Sequence, residues 1–254
     1  MKYKKPHFIA DNTKTAKNSL DIIKKQYDFF SRSETDIIVV LGGDGFMLDI
    51  LKKHQNLNLP FYGINQGTVG FLMNQKQDIN LLNKLNEAEE TIIHPLKMYA
   101  KKLDGTIEHY LAVNEISILR SGSQAAKLKI IVDDLVRLEE LVCDGALVST
   151  PAGSTAYNYS AHGPILPIDS NILALTAMAA FRPRRWRGAL IPSKAKIEFL
   201  IKEPHKRPVS AYADSKEVKN INSVKILCEN NICYKLLFDK GHGLQERILR
   251  EQFF

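Results

Sequence analysis

One stretch of the chain constrains its fold more than any other. The apolar run TDIIVVL at positions 35–41 leads directly into Gly-Gly-Asp-Gly at positions 42–45. A β-branched run of this kind is typical of a strand buried on both faces of a parallel sheet. The turn is followed by FMLDILKKH at 46–54, whose apolar spacing is helical. A strand that passes through a glycine turn into a helix is one unit of an α/β fold.

The rest of the first 90 residues repeats this alternation. HFIADN at 7–12 predicts a strand, the segment from Thr15 to Phe30 predicts a helix, and LPFYGIN at 59–65 predicts a third strand. We therefore expect residues 1–90 to form an α/β N-terminal domain with an open wound sheet.

After residue 90 the sequence changes to short strand-like segments separated by turns, such as the Asp104–Gly105 pair. These segments predict a β-rich, sandwich-like C-terminal domain over residues 91–235. One of them, LAVNEISIL at 111–119, is predicted as a strand with Asn114 and Glu115 in its middle, on opposite faces. The spacing of GHGLQERILREQFF at 241–254 is helical, and we expect residues 236–254 to return to the first domain.

Composition excludes several classes of protein. No apolar stretch reaches the length of a membrane span, and the basic N-terminus lacks the apolar core of a secretory signal, so we expect a cytoplasmic protein without a membrane partner. Cys143, Cys228 and Cys233 form no CxxC pair and are joined by no histidine cluster, which favours structural thiols over disulfides or zinc. A net charge of +7 fits nucleic acid and polyanionic substrates equally well.

Glycine-rich turns follow two adjacent predicted strands. The first holds Gly42, Gly43 and Gly45, and the second holds Gly67 and Gly70 around Thr68 and Val69. Adjacent parallel strands end at the same edge of a sheet, where glycines and a helix N-terminus favour phosphate. A carboxylate repels phosphate, so Asp44 fits this site as a base for a hydroxyl or as a magnesium ligand. The alternative is an ordinary turn in which Asp44 is the N-cap of the helix.

Two further segments carry polar side chains suited to a nucleotide. Asn114 and Glu115 could bind ribose hydroxyls or an adenine edge, or form a polar cross-strand pair. The run CDGALVSTPAGSTAYNYSAHGPIL at 143–166 is rich in hydroxyl and amide side chains among small residues, a composition suited to close contact with ribose and phosphate oxygens. Ser154 lacks the second glycine of a nucleophile elbow, and His162 has no obvious partner, so a serine hydrolase is excluded.

A cluster of arginines surrounds the single tryptophan. FRPRRWRG at 181–188 contains Arg182, Arg184, Arg185 and Arg187 beside Trp186. Such a cluster is compatible with nucleic-acid binding, and equally with a subunit interface or a salt-bridged strand.

These motifs together resemble the bacterial ATP–NAD kinases over nearly the full length of the chain. GGDG at 42–45, GTVGFL at 67–72, NE at 114–115 and DGALVSTPAGSTAY at 144–157 stand in the order and approximate spacing of that family. GGDG alone is shared with lipid kinases and phosphofructokinases, whereas TPAGSTAY combined with NE is specific. Phe46 is a departure, because many members have threonine at this position.

The resemblance implies phosphorylation of the adenosine ribose 2′-hydroxyl of NAD by ATP, giving NADP and ADP. It also implies a divalent metal ion, Mg²⁺ with ATP, and a homodimer or homotetramer; it assigns no metal ligand in this chain. By resemblance Asp44 is the general base, and Gly42, Gly43 and Gly45 lie on the phosphate side. The remaining residues assigned to the NAD site, with Asp44 and Gly45, are Phe71, Asn114, Glu115, Asp144, Ala152, Thr155, Ala156, Tyr157, Asn158 and Ser160.

Two other functions remain open from the sequence. A kinase of a lipid or sphingoid base would need an apolar channel, and the polar run STPAGSTAYNYS at 149–160 argues against one. A dinucleotide-binding sensor, or a nucleic-acid-binding protein built around the arginine cluster, would have no kinase activity. We expect no specific nucleic-acid partner.

Overall fold

The computed structural model describes residues 2–67, 70–75 and 80–253, so the predictions for Thr68 and Val69 lie outside the described residues. The chain divides into two compact units, Met1–Ile93 with Ile232–Phe254, and His94–Asn231. In the described ranges no helix is long and apolar enough to cross a membrane.

The first unit is built on a five-stranded sheet. Its strands, numbered along the chain, are β1 (Pro6–Ala10), β2 (Ile37–Gly42), β3 (Pro60–Asn65), β4 (Glu89–Ile93) and β17 (Tyr234–Phe238), in the order β1-β2-β3-β17-β4. The first four in this order are parallel, and β4 is antiparallel to β17. Its helices are α1 (Lys14–Lys24), α2 (Asp44–Lys53), α3 (Leu81–Glu87) and α5 (Leu244–Glu251), with a 3-10 turn at Gln55–Leu57. The predicted α/β unit with an open sheet is confirmed.

Strand β2 is buried along its whole length, as its β-branched run predicts. Helix α1 begins after Thr13, whose side chain accepts the N–H of Ala16, but it ends at Lys24 and not at Phe30 as predicted. Apolar residues beyond Lys24 serve packing outside the helix: the ring of Phe29 lies 5.0 Å from that of Phe8. The apolar spacing thus continues past the end of the helix.

The last strand of the chain lies inside the first sheet. β17 pairs with β3 on one side and with β4 on the other. The predicted domain boundaries at 90/91 and 235/236 fall inside β4 and β17, and both strands belong to the first unit. Helix α5 also belongs to that unit.

The second unit consists of two six-stranded sheets. One contains β7 (Glu115–Arg120), β10 (Gly145–Ser149), β11 (Ile172–Met178), β12 (Gly188–Pro192), β14 (Val209–Ala213) and β15 (Lys216–Val218). The other contains β5 (Leu96–Lys102), β6 (Ile107–Ala112), β8 (Ala126–Val132), β9 (Leu135–Cys143), β13 (Ile197–Ile201) and β16 (Ile221–Cys228). Their orders are β12-β11-β10-β7-β14-β15 and β6-β5-β16-β13-β8-β9. A short helix, α4 (Tyr157–Ser160), follows β10.

Both sheets contribute to one apolar core, which includes Ile116 and Val148 from the first and Met98 and Phe199 from the second. This is the predicted sandwich. One prediction within it was wrong, because residues 113–114 form a bend between β6 and β7, so Asn114 lies before the strand and not in its middle.

Candidate functional site

Asp44 lies at the N-terminus of α2, where the two glycine-rich turns meet. Gly43 is the N-cap and Asp44 is the first helical residue, so the interpretation of Asp44 as N-cap was wrong. Its Oδ2 accepts the N–H of Phe71 at 2.7 Å and its Oδ1 accepts the N–H of Leu72 at 3.0 Å. The two turns are also joined directly, because the N–H of Gln66 donates to the carbonyl of Gly42 at 2.9 Å. Phe71 is thereby brought to Asp44.

The environment of Asp44 makes its carboxylate a better proton acceptor. Burial raises the pKa of Asp44, while the N–H groups of Phe71 and Leu72 and the charge of Arg247 oppose that rise. A carboxylate whose pKa is raised toward neutrality is the form that general-base catalysis favours.

The glycines of this site serve two purposes: some leave open space where a phosphate can approach, and others allow close packing. A Cβ on Gly43 or Gly45 would meet no atom within 4 Å, whereas a Cβ on Gly42 would meet the ring of Phe46 at 2.7 Å. A Cβ on Gly70 would lie 2.9 Å from Oδ1 of Asp44. The second turn can therefore reach the carboxylate only with glycine at position 70.

Sequence reasoning missed Arg247 of α5. Its guanidinium donates to the carbonyl oxygens of Gly70 at 3.2 Å, Phe71 at 3.1 Å and Met73. These acceptors are backbone atoms far away in the chain, so no local spacing or motif could have indicated the contact.

In the second unit, Val113 and Asn114 are fixed by a carboxylate that the sequence did not single out. The two oxygens of Asp214 accept the N–H groups of Val113 and Asn114, each at 3.0 Å. On the other side, the hydroxyl of Thr150 donates to the carbonyl of Val113 at 2.7 Å. The bend that carries Asn114 is thus held by two residues that each directly follow a strand, Asp214 after β14 and Thr150 after β10.

Glu115 is a buried carboxyl group with an unused oxygen. Burial raises its pKa to about 8, the negative charge of Asp214 adds to the rise, and the backbone N–H of Tyr157 opposes it. Among the described residues its Oε2 has no hydrogen-bond partner. A buried oxygen without a partner costs free energy unless a ligand or water satisfies it, so this atom indicates a binding position.

The segment after β10 follows this bend closely. A Cβ on Gly153 would overlap the backbone of Asn114. Ala152 is buried, Thr155 and Ala156 are half-buried, and Tyr157 and Ser160 are exposed. The hydroxyl of Ser154 is engaged internally, since it donates to the carbonyl of Pro151 at 2.7 Å and accepts the N–H of Leu166 at 3.0 Å.

The side chain of Asn158, which the sequence analysis assigns to the NAD site, is bonded inside the protein. Its side chain is fully buried, and its amide nitrogen donates to the carbonyls of Ser154 and Pro164 at 3.1 and 2.9 Å. Its amide oxygen accepts the hydroxyl of Thr176 at 2.6 Å. Both polar atoms of the Asn158 side chain are thus engaged within the protein, so this side chain supports the segment from within.

Asp144 lies at the start of β10 and is exposed. Its carboxylate pairs with Arg120 at 2.6 Å, with about half of the Asp144 side chain accessible. The neighbouring Cys143 is buried, which raises the pKa of its thiol to about 12, so it is not a nucleophile near neutral pH.

The arginine cluster is exposed, and Trp186 packs against the apolar core. In the described part of the chain no ion pair joins these four arginines to a carboxylate. Likewise, the described ranges contain no group of three histidine, cysteine or acidic side chains that could hold a metal.

Comparison with known proteins identifies the family. The ATP-NAD kinase N-terminal domain matches residues 3–90, and the ATP-NAD kinase C-terminal domain matches residues 113–227. An NAD kinase from Cereibacter sphaeroides is 56% identical over 246 residues, covering 97% of each chain.

Two solved structures are similar in fold. A yeast NADH kinase complexed with NADH superposes with a TM-score of 0.82 at 18% identity, covering 100% of this chain and 88% of that one. An NAD kinase from Archaeoglobus fulgidus in complex with ATP gives 0.73 at 26% identity, covering 98% and 97%. Both domains, matched in order over most of the sequence, place this chain in the ATP-NAD kinase family.

Proposed function

We infer that this protein is an NAD kinase, which transfers the γ-phosphoryl group of ATP to the 2′-hydroxyl of the adenosine ribose of NAD. The observation that carries this function is Asp44, a half-buried carboxylate oriented by two backbone N–H groups at the glycine-rich start of a helix. Its membership of the family supplies the substrates.

In the reaction, Asp44 accepts the proton of the 2′-hydroxyl as that oxygen attacks the γ-phosphorus. The bond from the γ-phosphorus to the bridging oxygen breaks, and ADP leaves with the displaced electron pair. Phosphoryl transfer depends mainly on positioning and on neutralising negative charge. The free N–H groups at the start of α2, from Gly43 onward, and the Mg²⁺ that accompanies ATP supply that neutralisation.

The second unit supplies the NAD-binding residues in this proposal. The unpartnered oxygen of Glu115 suits a ribose hydroxyl, because a protonated carboxyl can donate and an ionised one can accept. Asn114 and Thr155 are half-buried polar residues near the same bend, and Tyr157 exposes about 39% of its surface. Ala152, Ala156, Ser160 and Asp144 complete the assigned set.

Four further properties belong to the proposal. Mg²⁺ enters as part of the ATP substrate. The protein is a homodimer or homotetramer, and it is cytoplasmic. It needs no nucleic-acid partner.

The test is formation of NADP from NAD and Mg-ATP by the wild type, by Asp44→Asn and by a matched control, Asp49→Asn. Asp49 is an exposed residue of the same helix whose contact is a 3.8 Å pair with Lys52. We expect turnover by Asp44→Asn to fall ~100-fold or more, the usual contribution of a general base, with NAD still bound. Asp49→Asn should match the wild type.

Two outcomes would contradict the proposal. Full turnover by a folded Asp44→Asn variant would remove the general-base role. A wild type that binds NAD but makes no NADP would favour the sensor over the kinase.

A further inference from the structure

Arg247 ties the C-terminal helix to the segment that holds Asp44. Beyond its bonds to the carbonyls of Gly70, Phe71 and Met73, its Nη2 lies 3.3 Å from Oδ1 of Asn74. Four acceptors within five consecutive residues are thus gathered by one half-buried guanidinium. An isolated surface arginine would not show such a pattern.

The helix end of this connection is equally well fixed. The guanidinium lies 5.0 Å from the ring centroid of Phe238 in β17, and Nε donates to the carbonyl of His242 at 2.9 Å. Asn74 is anchored to the same strand, because its amide donates to the carbonyl of Leu237 at 2.9 Å. Arg247 is therefore rigid at both ends.

Arg247 and Asp44 are connected through the same short segment of the chain. The carbonyls that Arg247 binds belong to residues 70–74, and the N–H groups of Phe71 and Leu72 within that segment hold both oxygens of Asp44. A shift of the segment would move those donors and rotate the carboxylate. Misplacement by about 1 Å can lower a rate by as much as ~100-fold.

We propose that Arg247 is a positioning residue for phosphoryl transfer, which fixes residues 70–74 so that their N–H groups aim the Asp44 carboxylate at the acceptor hydroxyl. This role rests on the proposed kinase function. Arg247 acts through the segment and makes no direct bond to Asp44.

Charge adds a second effect that distinguishes Arg247 from a purely structural residue. Its positive charge lowers the pKa of Asp44 against the effect of burial. The other ionisable groups that face the guanidinium are Asp239, after β17, and Tyr62 of β3. These two are bonded to each other at 2.5 Å, and Asp239 also pairs with Lys84 of α3 at 2.9 Å.

The test compares Arg247→Gln, Arg247→Lys and the control Arg250→Gln in the full-length enzyme. Arg250 lies one turn further along α5, is exposed, and pairs with Glu246 at 2.9 Å. Four quantities are measured: kcat, KM for NAD, the pH dependence of kcat, and the hydrogen exchange of peptide 70–75 relative to that of β2.

We expect Arg247→Gln to lower kcat by about 10- to 100-fold while KM for NAD changes less than about threefold. The acid limb of its kcat profile should move to higher pH, because the charge that lowers the pKa of Asp44 is gone. Exchange of peptide 70–75 should rise about tenfold with β2 unchanged. Arg247→Lys keeps the positive charge but lacks the several N–H donors of the guanidinium. Its acid limb should therefore lie at the wild-type pH, while its kcat should lie between those of Arg247→Gln and the wild type. Arg250→Gln should equal the wild type.

The positioning role would be overturned if a folded Arg247→Gln variant kept the wild-type kcat, the wild-type acid limb of its pH profile, or the wild-type exchange rate of peptide 70–75. Should Arg247→Gln fail to fold, Arg247→Lys decides: a reduced kcat with faster exchange supports the role, and wild-type values of both reject it. A wild type without NADP formation would overturn the proposed function and this role with it, whereas the exchange result would still report separately whether Arg247 holds the segment.

Discussion

Two half-buried residues, Asp44 and Glu115, have carboxyl groups with raised pKa values, and burial is the largest cause of the rise in both. Their partners differ. Asp44 has two N–H donors and a nearby guanidinium, which favour its charged form, whereas Glu115 faces the negative charge of Asp214. Asp44 is therefore suited to act as a base, and Glu115 to stay protonated near neutral pH until a ligand approaches.

The raised pKa of Glu115 predicts a pH-dependent cost in stability. Since the pKa is about 8 in the folded protein against 4.5 for a fully solvated glutamate, stabilisation by the bound proton is complete below pH 4.5 and is lost as pH rises toward 8. Glu115→Gln removes the titration, so its advantage in unfolding free energy over the wild type should grow with pH across this window. The slope should reach up to ~1.4 kcal/mol per pH unit.

Urea unfolding at several pH values, without nucleotide, measures this difference. The control is Glu139→Gln, at an exposed position where Lys129 lowers the pKa, which should give no such gain. A difference between Glu115→Gln and the wild type that does not depend on pH would contradict the assignment.

At the scale of single residues, the sequence indicates candidate ligand-binding side chains but not the residues that hold them in place. Asp44, Glu115 and Tyr157 lie in motifs whose residue types indicate phosphate and ribose binding. Arg247 and Asp214 could not be predicted, because their partners are backbone groups roughly a hundred or more residues away in the chain: Arg247 bonds to Gly70 across 177 positions and Asp214 to Asn114 across 100. Because every residue has a backbone carbonyl, and nearly every residue a backbone N–H, the residue types of these partners do not reveal the contacts.

At the level of elements, the segment around α4 depends on one buried amide. Asn158 satisfies two carbonyls, of Ser154 and Pro164, and is itself satisfied by Thr176. Replacing it with alanine removes the donor to the carbonyl of buried Ser154 and the donor to the carbonyl of Pro164. We expect Asn158→Ala to lower the unfolding free energy by about 2–4 kcal/mol, and Thr176→Val by about 1–2 kcal/mol.

A double-mutant cycle measures this element directly. The loss in the Asn158→Ala/Thr176→Val double variant should be smaller than the sum of the single losses, because both substitutions break the same bond. An additive cycle, or a loss below ~0.5 kcal/mol for Asn158→Ala, would show that the amide does not support the segment.

Element types were predicted well from alternation and composition, but some ends and partners were not. The β-branched run became β2, and the turn at Asp104–Gly105 joins two paired strands. Helix α1 ends before the predicted position because the apolar residues that follow it pack outside the helix. The bend before β7 is held by N–H groups that donate to the carboxylate of Asp214. The pairing of β17 with β3 joins distant parts of the chain, which strand propensity does not encode.

At the scale of the whole molecule, the chain between β4 and β17 is an insertion into a strand pair. β4 and β17 are antiparallel neighbours, with Ile93 directly opposite Tyr234. The second unit, His94–Asn231, therefore leaves and re-enters the first at adjacent positions. β17 also lies between β3 and β4, so the first sheet is incomplete until the end of the chain is present.

This topology predicts that the first unit folds alone once the insertion is replaced by a tight turn. Joining Ile93 to Tyr234 through Asn-Gly restores a two-residue hairpin between strands already paired in register. We expect this shortened chain to unfold cooperatively, as measured by circular dichroism and urea, and to make no NADP because it lacks Glu115. The matched control is residues 1–93 alone, which lack β17, α5 and Arg247 and should not fold cooperatively. If residues 1–93 unfold as cooperatively as the closed chain, β17 is not needed to complete the sheet; if neither folds, the first unit depends on the second for its stability.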